Sequence, residues 1–205
     1  MNHLSRALDG NVDGLDAPPP LDLLQEFANT LDLEGQLEEL DSPAALTEWC
    51  RRRGLMEAGV GLSVSDLEVA IRAREALRRV ALAHSGHDDL AAATAELASA
   101  TAGARLRLTA DPAGTLSLEP VGSPLDRLLG ALAAAVVQGG LRGTLVRLKA
   151  CSDQRCQWVF WDASKNSCGR WCSMAVCGSR AKARAYQHRL RSQARLGVQP
   201  AELNR

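Results

Sequence analysis

Four cysteines fall in two matched pairs near the end of this chain. Cys151 and Cys156 form one C-x4-C pair, Cys172 and Cys177 the other, and fifteen residues separate them. Thiolates at that spacing can close a tetrahedral four-sulfur site around one Zn2+, the soft-ligand arrangement of a structural site with no open position for chemistry. A segment of about 40 residues cannot bury enough surface to fold alone, so the metal is expected to supply much of its stability. Four thiolates around Zn2+ leave a net charge of −2, which Lys149, Arg155, Lys165 and Arg170 could offset.

The charge is split along the chain. Residues 1–150 hold 14 Lys+Arg against 21 Asp+Glu, and residues 151–205 hold 10 against 3, so a formally neutral chain has a body at −7 and an end at +7. The two parts are expected to meet different partners, or each other. No run is long and apolar enough for a membrane span, and the first twenty residues have no apolar core of a secretory signal, which points to a cytoplasmic protein with metal-ligating rather than disulfide cysteines.

With 46% hydrophobic residues but only 3% aromatic ones, the core has to be built of Leu, Ala and Val, a helix-favouring mixture. Residues 1–19 read as a disordered leader running into Pro18-Pro19-Pro20. Leu21, Leu24, Phe27, Ala28 and Leu31 form a helical stripe. A second helix starts at Ser42-Pro43 and stops at Gly54. The Ser65-x-x-Glu68 spacing suggests a capping box for a long helix to about His84. Asp88-Asp89 opens an alanine-rich helix. Residues 105–109 and 115–119 then alternate polar and apolar around Asp111-Pro112-Ala113-Gly114, predicting a hairpin with one buried face. Ser123-Pro124 caps a last helix of the body, ended by Gly139-Gly140, and a short strand from Leu145 to Leu148 leads to Cys151. The predicted fold class is α+β, mainly α: a helical N-terminal domain over 20–143 with a small hairpin, a zinc-finger module with its basic helix over 144–196, and a tail over 197–205.

Between the cysteine pairs lies Trp158-Val159-Phe160-Trp161-Asp162, a strand-like run whose rings should pack against the metal. Behind the second pair, Arg180, Arg184, His188, Arg191 and Arg195 recur at spacings of 4, 4, 3 and 4, so one helix would carry all five on one face, broadened by Lys182 and Arg189. No acid interrupts the stripe. It suits phosphate contact, and roughly five to seven such contacts would give a log–log salt slope of about −4.5 to −6. The same helix could instead dock on the acidic body. Cys168 reads either as a redox switch beside the site or as a tolerant loop position, and Cys50 as core. Asn29 and Arg72 read either as polar groups of an effector pocket or as helix-solvating residues. The four histidines, His3, His84, His87 and His188, form no catalytic constellation, and no phosphate loop or nucleophile elbow is present, so no enzyme is expected.

The segments Arg147-Leu148-Lys149-Ala150-Cys151, Cys156-Gln157-Trp158-Val159-Phe160, Asp162-Ala163-Ser164-Lys165-Asn166 and Arg170 to Lys182 resemble the bacterial CGNR zinc-finger proteins. Phe27-Ala28-Asn29-Thr30-Leu31, Trp49 and Gly54-Leu55 look like the helical ABATE domain that precedes this finger. The resemblance implies a stress-induced transcription regulator, ligation of one structural Zn2+ by Cys151, Cys156, Cys172 and Cys177, and a finger that binds DNA. The name-giving Asn of the family is Ser179 here, and an arginine of its pattern is Gly169. The expected function is a cytoplasmic DNA-binding regulator contacting DNA through Arg170, Arg180, Lys182, Arg184, His188, Arg191 and Arg195. A homodimer and a small-molecule effector of the helical domain are its possible further partners, and no membrane is. The alternatives are a zinc-shaped protein-interaction module and an effector sensor without DNA contact.

Overall fold

A computed structural model describes residues 16–57 and 59–195, with the side chains of 194 and 195 excepted. Residues 1–15 of the expected leader and the tail lie outside the described residues. Ala17, at the end of that leader, is buried, and its N–H donates to Gln25 Oε1 at 2.7 Å.

Among the described residues, the body is built of five helices. These are α1 (Leu21–Ala28), α2 (Pro43–Arg52), α3 (Val64–His84), α4 (Leu90–Ala100) and α5 (Pro124–Leu141). Their starts are written in the sequence. Ser42 accepts from Ala45 N ahead of Pro43, and Asp89 accepts from Ala92 N. Ser123 forms a capping box with Asp126. The α3 box is set two residues earlier than the Ser65–Glu68 spacing suggests. Ser63 caps the helix, and the Asp66 carboxylate accepts its N–H at 2.8 Å. Both pairs have the right spacing, and the earlier one satisfies the first turn. Leu24, Phe27, Leu46, Leu77, Val80 and Leu128 fill the core, with Cys50 fully buried as expected and its thiol pushed up to about 12 by burial.

Four local expectations are corrected. The α1 stripe ends at Ala28, and Leu31 begins a two-residue hairpin, β1 (Leu31–Asp32) with β2 (Leu37–Glu38). Gly139-Gly140 does not stop α5, which continues to Leu141 and turns at Gly143, φ +64°. Gly139 serves packing instead: a Cβ there would lie 2.6 Å from Leu21 Cδ2. Residues Leu145–Arg147 form a 3-10 turn, and the strand, β5, is Leu148–Ala150. The hairpin β3 (Leu106–Ala110) with β4 (Leu116–Pro120) forms in the expected place, but its leucine face is exposed rather than buried. It touches α5 at its root, near Gly130, and the body's core is complete without it.

β5 pairs antiparallel with β6 (Val159–Trp161), Leu148 opposite Trp161 and Ala150 opposite Val159. The side chains around β6 alternate between two cores, as a strand requires. Val159, with Leu148 and Ala150, is buried in the helical core and Trp161 packs against it, whereas Trp158 and Phe160 pack with the four cysteines. Among the described residues, no helix is long and apolar enough to cross a membrane.

Candidate metal centre and basic helix

Cys151 follows β5 directly, and Cys156 ends a tight loop in which the Asp153 carbonyl accepts both the Cys156 and Gln157 N–H groups. Gln157 then turns the chain with a left-handed φ of +47°, costly for a non-glycine residue, so that Trp158 enters β6. Cys172 stands before a single π-helical turn, Met174–Gly178, that carries Cys177.

The four sulfur atoms lie within 4.8 Å of one another and all four residues are buried. Cys156 Sγ is 3.5 Å from Cys172 Sγ, which is 3.8 Å from Cys177 Sγ. A tetrahedron with Zn–S bonds of about 2.3 Å has edges of about 3.8 Å, so the cluster has the size of a four-thiolate zinc site. The electrostatics agree. Hydrogen bonds from Cys156 and Cys172, with the Asp153 N–H, lower the Cys151 pKa, while that neighbour pushes the Cys156 and Cys172 thiols far up. Thiols this crowded share one negative charge easily and four only with a cation among them. The cysteines fit one structural zinc ion.

The expected counter-charges act differently. Lys149 is buried and committed to Asp162, Nζ to Oδ2 at 2.7 Å, and to the Ser167 carbonyl. Burial opposes ionisation of Asp162, but hydrogen bonds from Lys149, Ser164 and the Gly169 N–H outweigh it and hold its pKa at about 2. Arg155 pairs with Asp153, and Lys165 is exposed. Exposed Arg170 lies over the Trp171 ring. Arg180 is held charged chiefly by its hydrogen bond to Glu34, and also by the nearby charge of Cys177.

The two departures from the family pattern have local explanations. A Cβ on Gly169 would lie 2.7 Å from Asp162 Oδ1, so the carboxylate occupies the space a side chain would need. The Ser179 hydroxyl donates to the Met174 carbonyl at 3.2 Å and closes the π turn.

Helix α6 (Ser179–Arg195) leaves this turn without a break. Its basic residues fall on two faces. Arg180 and Arg184 point back to the molecule, Arg180 to Glu34 in the β1–β2 loop and Arg184 to the buried Asp153, NH1 to Oδ2 at 3.2 Å. His188 and Arg191 continue that face beyond the body and are exposed. Lys182, Tyr186 and Arg189 line the opposite face, with the Arg189 guanidinium 6.0 Å from the Tyr186 ring centre. Arg195 belongs to α6, and its side chain lies outside the described residues. Cys168 is exposed in the loop before Cys172, and its N–H donates to Ser164 Oγ at 3.1 Å.

Two groups that join the finger to the body gave no clear signal in the sequence. Asn29 is not a pocket residue: it is buried and bonds both backbone groups of Val159, Nδ2 to the carbonyl at 2.7 Å and Oδ1 from the N–H at 2.8 Å. Arg78, buried in α3, donates to the carbonyls of Ala28, Leu31 and Gln157. Ser85 Oγ donates to Ala150 O and His84 Nδ1 meets Leu148 O at 2.9 Å. A polar side chain that serves distant backbone has no periodicity to betray it. Arg72 does line a cleft of about 500 Å³ with Val69, Glu96, Ser99, Leu125 and Leu129.

Two family models match the chain. One, described as "Putative stress-induced transcription regulator" and called ABATE, matches residues 21–139. The other, the CGNR zinc finger, matches residues 147–190. No curated protein matches. The first match covers more than half of the chain and the second contains all four cysteines: the chain belongs to the ABATE family and carries a CGNR zinc finger behind that domain.

Proposed function

We propose that the protein binds duplex DNA through α6, with the zinc site fixing the direction in which that helix leaves the body. One observation carries the reading. Every residue from Lys182 to Arg191 is exposed, this stretch holds five basic residues and no acid, Arg184 being tied to Asp153 outside it, and its helix starts two residues behind Cys177. A helix of 17 residues is about 25 Å long and can lie in a major groove with its arginines on phosphate. The helical body would set when the helix is presented, through the shared core and the Arg180–Glu34 pair. The residues proposed to reach DNA are Arg170, Lys182, His188, Arg189 and Arg191, with Arg180 and Arg184 after release from their acids.

A second reading is supported by Tyr186 and Leu190, large apolar residues exposed on α6 where a purely phosphate-contacting helix has no use for them. In it, an acidic protein groove grips the helix. Selection of duplexes from a random pool with zinc-loaded and chelator-stripped protein separates the two. An enriched motif that disappears on stripping supports the DNA reading. No enrichment at full zinc occupancy moves the weight to the protein-interaction reading.

A further inference from the structure

The β3–β4 hairpin sorts its side chains by face. On one face Arg107 pairs with Glu119 at 2.7 Å and the Thr109 hydroxyl meets that of Ser117 at 2.9 Å, so its polar groups answer each other. The other face carries Leu106, Leu108, Leu116 and Leu118, exposed at 37, 64, 66 and 42%. Only its root is covered. A Cβ at Gly130 would meet the Arg105 carbonyl at 2.8 Å and Pro120 at 3.2 Å, which marks where the hairpin sits on α5. Val137 and Leu141, seven and eleven residues further along α5, leave the same side of that helix as Gly130 and are also exposed, at 52 and 84%. The strict polar–apolar alternation of the hairpin is the pattern of a sheet with one buried face, yet the chain itself does not bury it.

We propose that a second copy of this chain covers it, two molecules meeting about a two-fold axis through their hairpin and α5 faces. The six aliphatic residues expose on the order of 600 Å² of side chain, most of the about 800 Å² that each partner buries in an ordinary interface. The six residues of the patch carry no charge, and the hairpin's ion pair, Arg107 with Glu119, lies on the opposite face. A two-fold contact needs only one self-complementary patch and closes at two copies. The inference is independent of what α6 binds.

The test is sedimentation equilibrium of the zinc-loaded full chain over a wide concentration range, for the natural sequence and for the double substitution Leu108→Glu with Leu116→Glu. Both positions are mostly exposed, so the variant should keep its zinc stoichiometry and its helical circular dichroism. The expected result is a dimer of the natural chain and at least a hundredfold weaker association of the variant. A natural chain that stays monomeric into the tens of micromolar overturns the proposal and leaves the face to a different partner. A variant that still dimerises with unchanged affinity also overturns it, because the contact then lies elsewhere.

Discussion

Asn29 acts as a partner strand for Val159. Its amide donates to the Val159 carbonyl and accepts from the Val159 N–H, bonds of 2.7 and 2.8 Å that span 130 residues of sequence. Both backbone groups are buried, and β6 has no other strand on that side among the described residues.

Substituting Asn29→Ala strands both groups. A buried unsatisfied donor or acceptor costs about 1–3 kcal/mol. Urea unfolding of the zinc-loaded variant should therefore show a midpoint clearly below that of the natural chain. An unchanged midpoint would mean that the finger holds its place without this bond pair.

Cys172→Ser removes a sulfur from the middle of the cluster. The variant should fail to hold one zinc per chain by elemental analysis, and the loss should reach the helical body, because Leu148, Ala150 and Val159 belong to its core. Broadened amide signals limited to residues beyond 150 would contradict that continuity.

Gly169→Ala tests whether the departure from the family pattern is a fitted one. The added Cβ would press on the Asp162 carboxylate, which Lys149, Ser164 and Gly169 hold in place. Overpacking of this kind costs about 1–3 kcal/mol. A thermal midpoint equal to that of the natural chain would show that Asp162 can move.

Glu34→Ala releases Arg180. If α6 binds duplex, each further phosphate contact steepens the log–log salt dependence by about 0.9. The variant should bind more tightly at low salt with a steeper slope, and Arg189→Ala with Arg191→Ala should flatten it by about 1.8. Anisotropy titrations at several salt concentrations read both slopes, and identical slopes in all three proteins would remove α6 from the DNA reading.

His84 gives a pH signature. Burial lowers its pKa below the ordinary value, aided by Lys149 and opposed by its bond to Leu148. The folded chain thus prefers the neutral ring. The stability this contributes is present above the ordinary value of about 6.5 and is lost as pH falls below it through the lower folded value. Between pH 7.5 and 5.5 the natural chain should lose more stability than His84→Gln. Equal losses would assign the acid sensitivity to other groups.

How much of this was legible in the sequence varies with the kind of signal. The cysteine pairs, the Ser42, Asp89 and Ser123 caps and the alternation of 105–119 are local patterns, and each yields its element. The expected stop at Gly139-Gly140 failed because a glycine can serve close packing as well as a turn, and only the proximity of Leu21 tells which. The expectation that the hairpin buries one face failed for the same reason: alternation reports that a face is apolar, not what lies against it. In the site, the spacing of 180, 184, 188 and 191 correctly describes one helical face. It says nothing of Glu34 and Asp153, which occupy half of that face. Asn29 and Arg78 could be found only from the coordinates, since each speaks to backbone carbonyls or amides far away in sequence.

The alternation of β6 between two cores has a thermodynamic corollary. Trp158 and Phe160 report to the sulfur cluster while Val159 and Trp161 report to the helices, so neither side can reorganise without shifting the strand under the other. Two binding events coupled through one element must help or hinder each other by the same factor. A ligand that tightened the helical body would therefore raise the chain's affinity for zinc by the same factor that zinc raised its affinity for that ligand.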